Sequence, residues 1–323
     1  MAARPAAGVP LPEWARFIPD TRGRWRRCWL DLVLRVMVKR KLDRGGDLDA
    51  LRVASTAMDE RLAWLEPGMR RTPQSHGGVP CEWVDVPSSR PGRVVLYLHG
   101  GAFVFRFPRT HAGLAARICS RVGARALLVD YRLAPEHPQP AATDDCLAAY
   151  RALLASGVRA IDVALFGDSA GGNLVLATLH RAKAAKLPLP ACAVAMSPVV
   201  DLTMSSPSLC ENESNDPVFT ITAMLGFRRL YAAPETFLDP AVSPLFGDWS
   251  GLPPLLLQAG STEMLRDDSV RAAERARAAG TVAELEIYER MPHVFQLMRS
   301  LPQSDASLDA AARFVRRHAG WNN

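Results

Sequence analysis

Residues 167–171 read Gly167-Asp168-Ser169-Ala170-Gly171, a serine with glycine two positions away on either side. The pentapeptide follows the apolar run Val163–Phe166 and opens into Gly172-Asn173-Leu174-Val175-Leu176, a sequence able to start a helix. A strand-to-helix turn this tight has no room for side chains at the two flanking positions, so glycine is used there. The turn lifts the Ser169 hydroxyl out at the end of the strand. There the next helix directs backbone N–H groups and its positive dipole end toward developing negative charge. Such an arrangement suits nucleophilic attack on a carbonyl.

A second glycine-rich turn, His99-Gly100-Gly101-Ala102-Phe103, closes the apolar run Val94–Leu98. Paired glycines past a strand let the backbone bend close to a ligand. The N–H groups of Gly100 and Gly101, with that of Ala170, are the expected oxyanion donors, each worth roughly 10²–10³ in rate. His99 is expected to hold this loop. For a base the chain offers His76, His99, His111, His137, His180, His293 and His318. Where such a serine turn occurs, the base comes last in chain order, after the acid. His293, following the apolar run Leu285–Tyr288, meets that condition. His180 and His318 fall on expected helices, His111 starts one, and His76 and His137 precede the last strands. The acid is expected after Leu255–Ala259, where Glu263 sits soonest. Asp267 is the alternative, although it also suits the first turn of a helix. Asp201, after Cys192–Ser197, is a weaker third.

These groups need elements to hold them. From about residue 82, short apolar runs at Glu82–Val86, Val94–His99, Ala126–Asp130, Val163–Phe166, Cys192–Ser197, Leu255–Ala259 and Leu285–Tyr288 alternate with helical patterns. The helical stretches lie near His111–Val122, Ala141–Ala155, Gly172–Ala185, Asp267–Ala279 and Ser304–Arg317. Alternation of this kind predicts an α/β fold, a mostly parallel sheet covered by helices on both faces. Two regions break the pattern. Residues 1–80 read as an N-terminal cap segment on a catalytic domain of 81–323. Asp201–Pro240 is too long for a plain connection, and a second cap piece is expected at about 203–240, helical near Thr220–Ala232. Within the first region Trp25, Cys28, Trp29, Leu32, Val33 and Val36 recur at helical spacing. Their face is expected to pack on the body with its basic side to water; a membrane-surface or partner helix is the other reading.

Of 323 residues, 48% are apolar and 22% charged, an ordinary globular composition. Residues 13–44 hold ten Lys/Arg against four acids, so this window carries the whole formal charge of +6. A neutral body with one basic segment lacks the broad basic face of a nucleic-acid binder. Cys28, Cys81, Cys119, Cys146, Cys192 and Cys210 are scattered without a CxxC, as in reduced cytoplasmic proteins. No secretory signal and no membrane span is read from the chain. The expected setting is cytoplasmic.

Taken together, the motifs HGGAF (99–103), DYRLAPEHPQPAATDD (130–145), GDSAGG (167–172), SPVVDLT (197–203) and HVFQLM (293–298) resemble the hormone-sensitive-lipase-like esterases. These are the bacterial family IV group of the α/β-hydrolases. The resemblance implies a helical cap built from the N-terminal segment and an insertion. It implies Ser169 as nucleophile, His293 as base, and supporting polar roles for Asp168 and Glu136. Two departures stand out. The usual HGGG ends here in Ala102, which should shape the pocket, because only the first two glycines are expected to donate. The acid is more often Asp in a DxLxD pattern; here Glu263 stands in Glu263-Met264-Leu265-Arg266-Asp267. The implied function is a serine carboxylesterase acting on small esters of short to medium chain, with no metal or organic cofactor. An amidase or peptidase using the same triad, and a non-catalytic binding protein, are the alternatives. The family includes dimers, so a homodimer is left open, as is weak surface association through the basic N-terminal helix. Trp14, Phe17, Trp25, Trp29, Leu32, Phe219, Met224 and Phe227 would be the core of the cap or, facing inward, an apolar acyl pocket.

Overall fold

In the computed structural model, which describes residues 11–43 and 47–321, the apolar runs pair into one nine-stranded sheet. Its strands are β1 (Arg16–Ile18), β2 (Arg70–His76), β3 (Val79–Asp85), β4 (Val94–Leu98), β5 (Arg125–Val129), β6 (Val163–Asp168), β7 (Cys192–Met196), β8 (Leu255–Gly260) and β9 (Ala283–Tyr288). The order across the sheet is β1-β9-β8-β7-β6-β4-β5-β3-β2. Neighbours are parallel except where β3 meets β5 and β2.

Strand alternation divides the side chains between two cores. Val94, Leu96 and Leu98 pack on one side with helices α5 (Ala141–Ala155), α6 (Ala170–Ala184) and α9 (Arg266–Ala278). Val95 and Tyr97 pack on the other with α4 (Pro108–Val122) and α10 (Pro302–Ala319). Burial on both faces is why these strands read as continuous apolar runs. Because β4, β6, β8 and β9 are parallel, the loops after them emerge along one edge. Those loops carry residues 99–103, 169, 263 and 293.

The N-terminal segment is not all cap. Arg16–Ile18 adds to β9 as an edge strand, and Arg70–His76 forms the far edge against β3. Between them lie α1 (Arg24–Leu34), a π turn over Arg35–Lys39, α2 (Arg40–Asp43) and α3 (Leu48–Leu62). The insertion after β7 carries the short α7 (Ser208–Glu211) and α8 (Ile221–Tyr231), which Thr220 caps by accepting from the Ala223 N–H at 3.2 Å. The two segments are clasped together. Arg35 donates to the carbonyls of Ser214 and Asn215, and Lys39 to those of Glu213 and Asp216.

The apolar face expected to pack on the body does not do so. Trp25, Trp29 and Leu32 are 72%, 64% and 60% exposed, and the buried residue of α1 is Arg27. Arg27 turns inward because it is held by Asp20 at 3.1 Å and Asp31 at 3.2 Å. The pair with Asp20, which lies outside the helix, decides which face goes down.

Candidate active site

Ser169 stands between β6 and α6 with φ of 53° and ψ of −119°. A non-glycine residue in this region is strained by about 1–3 kcal/mol, and the tight packing around it holds it there. A Cβ on Gly167 would run into the Gly171 carbonyl, and one on Gly171 into that of Leu98. That contact is the physical reason for glycine on both sides of the serine.

His293 and Glu263 form the second part of the site. The His293 Nδ1–H donates to Glu263 Oε2 at 2.6 Å, which fixes the tautomer and leaves Nε2 as the lone-pair nitrogen. That Nε2 is buried and makes no hydrogen bond to protein among the described residues. Glu263 is fully buried. Its Oε1 accepts from the Gly260 N–H at 2.6 Å and from Ser197 Oγ at 2.9 Å, and Ser197 Oγ in turn accepts from the Val294 N–H at 3.1 Å. Burial raises the Glu263 pKa above its ordinary value despite these donors. For His293, burial disfavours the charged ring, but the Glu263 hydrogen bond and charge outweigh it, so its pKa is raised. Phe219 packs edge-on against the imidazole, ring centres 5.0 Å apart.

Ser169 and His293 line one cavity of about 270 Å³, with Gly101, Ala102, Phe105 and Phe219 among its walls. Its far side is formed by Leu34, Met37, Val38, Leu51 and Met58 from the N-terminal helices. A second pocket of about 40 Å³ also borders Ser169, lined by Phe103, Val199, Leu202, Met204 and Met224. Ala102, Phe219 and Phe227 border both spaces. Of the aromatic residues expected in an apolar pocket, Phe219 and Phe227 are there, as is Met224. Trp25, Trp29 and Leu32 are on the outside, while Trp14 packs beneath Arg277, 4.4 Å from its ring centre.

One expected oxyanion donor is not free. The Gly100 N–H donates to Asp168 Oδ1 at 3.1 Å, and Gly100 does not line the cavity. Gly101 and Ala102 do, and neither N–H donates to protein among the described residues. Ala170 is the first residue of α6, where backbone N–H groups have no partner within the helix. The free N–H groups lining the cavity are therefore those of Gly101 and Ala102, with that of Ala170 next to Ser169 at the start of α6.

Asp168 is an anchor. Besides Gly100, its Oδ1 accepts from the Tyr97 hydroxyl at 2.7 Å, and its Oδ2 lies 3.4 Å from His111 Nε2. His111 Nδ1 is 3.0 Å from the Phe107 carbonyl, so both ring nitrogens face acceptors. A neutral imidazole has one N–H to give, so this geometry calls for the protonated ring. The pKa of His111 is raised: burial opposes the charge, and Asp168 overcomes it. His99 is of the opposite kind. It stacks on Tyr131 with ring centres 4.2 Å apart, bonds the Gly100 carbonyl at 2.8 Å, and burial lowers its pKa to about 3. Glu136 pairs with Arg52 of α3, away from the cavity. Neither alternative acid bonds to His293, whose carboxylate partner is Glu263. Asp267 accepts from the Ser208 N–H and from Arg266, and Asp201 is taken by Thr203, Ser205 and Arg271. Sequence spacing gave no signal for His111, Tyr97 or Ser197. Their roles exist only once the strands lie side by side.

Known proteins share this fold. A profile of the α/β-hydrolase fold matches residues 95–297. An acetyl-hydrolase of Streptomyces hygroscopicus is 35% identical over 90% of this chain and 97% of its own. An esterase of Acinetobacter venetianus is 37% identical over 79% of this chain and 84% of its own. Among solved structures, an esterase from the bacterial hormone-sensitive lipase family superposes with a TM-score of 0.86 at 35% identity, covering 93% of this chain and all (100%) of the other. The chain belongs to the hormone-sensitive-lipase-like esterases of the α/β-hydrolase superfamily, a group of carboxylic ester hydrolases.

Proposed function

We propose that this protein is a serine carboxylesterase working through an acyl-enzyme. The observation that carries the reading is the 2.6 Å bond that His293 Nδ1–H donates to Glu263, the ring sharing a cavity with the strained Ser169. His293 Nε2 takes the Ser169 proton as the hydroxyl attacks the ester carbonyl. The N–H groups of Gly101, Ala102 and Ala170 receive the oxyanion, and Glu263 stabilises the imidazolium that forms. His293 then returns the proton to the leaving alcohol, and water repeats the cycle on the acyl-enzyme.

The two spaces beside Ser169 support an orientation for the substrate. His293 must reach the leaving oxygen, and His293 lines the large cavity but not the small pocket. The alcohol therefore belongs in the large apolar cavity and the acyl chain in the small pocket, which has room for only a few carbons. The N-terminal helices and the segment after β7 act as the cap over both. The test is hydrolysis of p-nitrophenyl esters from acetate to palmitate, with Ser169→Ala alongside. Activity on the short esters that the variant lacks is expected. Equal rates for the two proteins, or none from folded wild type, would overturn the reading.

A further inference from the structure

The exposed face of α1 is a stripe, not a scatter. Trp25, Trp29, Leu32 and Val36 follow one another at steps of four, three and four, and all are exposed. Met37 on the π turn, next to Val36, and Met58 on α3 are exposed as well, and both line the catalytic cavity, so the cavity opens where they reach solvent. Contiguous apolar surface of this kind marks an interaction site. Its border is basic. Arg22, Arg24, Arg26, Arg40 and Lys41 are exposed and form no ion pair among the described residues, while the only exposed acid in residues 22–43 is Asp43. The cations with structural work, Arg27, Arg35 and Lys39, are a separate set.

We infer that this face docks on an anionic lipid surface, with the cavity mouth turned toward the bilayer. A helix lying in the interface presents Trp and Leu to the acyl boundary and Arg to the headgroups. Arg side chains flanking the stripe can lay their stems on apolar surface while their heads reach phosphate. No described helix is long and apolar enough to cross a membrane, so the contact is peripheral. A second copy of the chain fits less well. Two-fold pairing through this face would set arginine against arginine and close the cavity mouth. Docking itself stands on α1 and α2; the use of the mouth for lipid-borne esters rests on the esterase reading.

The experiment is co-sedimentation of the full chain with vesicles of phosphatidylcholine alone and with added phosphatidylglycerol, at low and high salt. Two variants accompany it: Trp25→Ser/Trp29→Ser/Leu32→Ser, and Arg24→Glu/Arg26→Glu/Arg40→Glu. None of these residues lines the cavity. Binding to the anionic vesicles, weakened by salt, is expected. Each cation removed should weaken it roughly fivefold, and the apolar variant should abolish it. Both variants should keep wild-type rates on p-nitrophenyl acetate. No binding to anionic vesicles, or binding indifferent to lipid charge, overturns the inference. So does light scattering that shows a dimer which the apolar variant dissociates. Vesicle binding without ester hydrolysis would remove the esterase reading and leave the docking face standing.

Discussion

Glu263 sets the protonation of His293 against its surroundings. Full burial would push the imidazole toward the neutral form; the carboxylate 2.6 Å from Nδ1 reverses that and raises the pKa. The base works only when neutral, so kcat/KM should rise with pH through an apparent pKa above the unperturbed value of about 6.5. Glu263→Gln keeps the size but removes the charge, and burial then dominates. Its acid limb should move to lower pH while the plateau falls by about 10³–10⁴. A pH–rate profile of both proteins checks the pair. A variant whose acid limb stays in place would mean that Glu263 does not govern His293. Chain order was enough to choose Ser169, Glu263 and His293 as candidates, because each follows a strand whose direction the alternation fixes. It was not enough for the oxyanion donors. Whether Gly100 or Ala102 turns its N–H to the cavity depends on Asp168, which reaches the loop from β6 and is itself held by Tyr97 of β4.

At the scale of elements, one side chain ties α3 to the loop that carries the donors. Arg52 donates to the carbonyls of Val104 and Ala134 and to both carboxylate oxygens of Glu136. Its partners differ in worth. Glu136 is 53% exposed, so its share of the pair is screened by water. Val104 and Ala134 are buried, and their carbonyls accept from no other protein group among the described residues. Arg52→Ala should therefore lower stability by about 1–3 kcal/mol, and Glu136→Gln by less than about 1 kcal/mol, measured by urea unfolding. Equal losses would show that the carboxylate, not the carbonyls, is the anchor. The same elements mark where the sequence was hard to read. β1 has three residues and β2 reads Arg-Arg-Thr-Pro-Gln-Ser-His, mostly exposed, so neither shows an apolar signature. The face of α1 was legible as a face but not in its direction. Periodicity shows that apolar side chains share a side; the contact that decides the side joins Arg27 to Asp20, which lies outside the helix.

Across the whole molecule two spaces of unequal size meet at Ser169, with Ala102, Phe219 and Phe227 as shared walls. The side of β7 and α8 gives a pocket of about 40 Å³, and the N-terminal helices give a cavity of about 270 Å³ that also holds His293. In the proposed orientation, acyl and alcohol are not interchangeable, and isomeric esters expose that directly. Decyl acetate and ethyl decanoate have the same atoms and nearly the same apolar area, so hydrophobic transfer contributes about equally to the binding of each. They differ in which side of the carbonyl is long. Decyl acetate should be cleaved at least about tenfold faster in kcat/KM, because a wrong fit of even a few methylenes in a closed pocket costs about 1–3 kcal/mol. Met224→Ala enlarges the small pocket without touching Ser169 or His293, and should narrow the difference mainly by speeding ethyl decanoate. Titrating the released acid for the two esters and two proteins gives all four rates. If ethyl decanoate is the better substrate for the wild type, the acyl chain occupies the large cavity and His293 must reach the leaving oxygen from the other side.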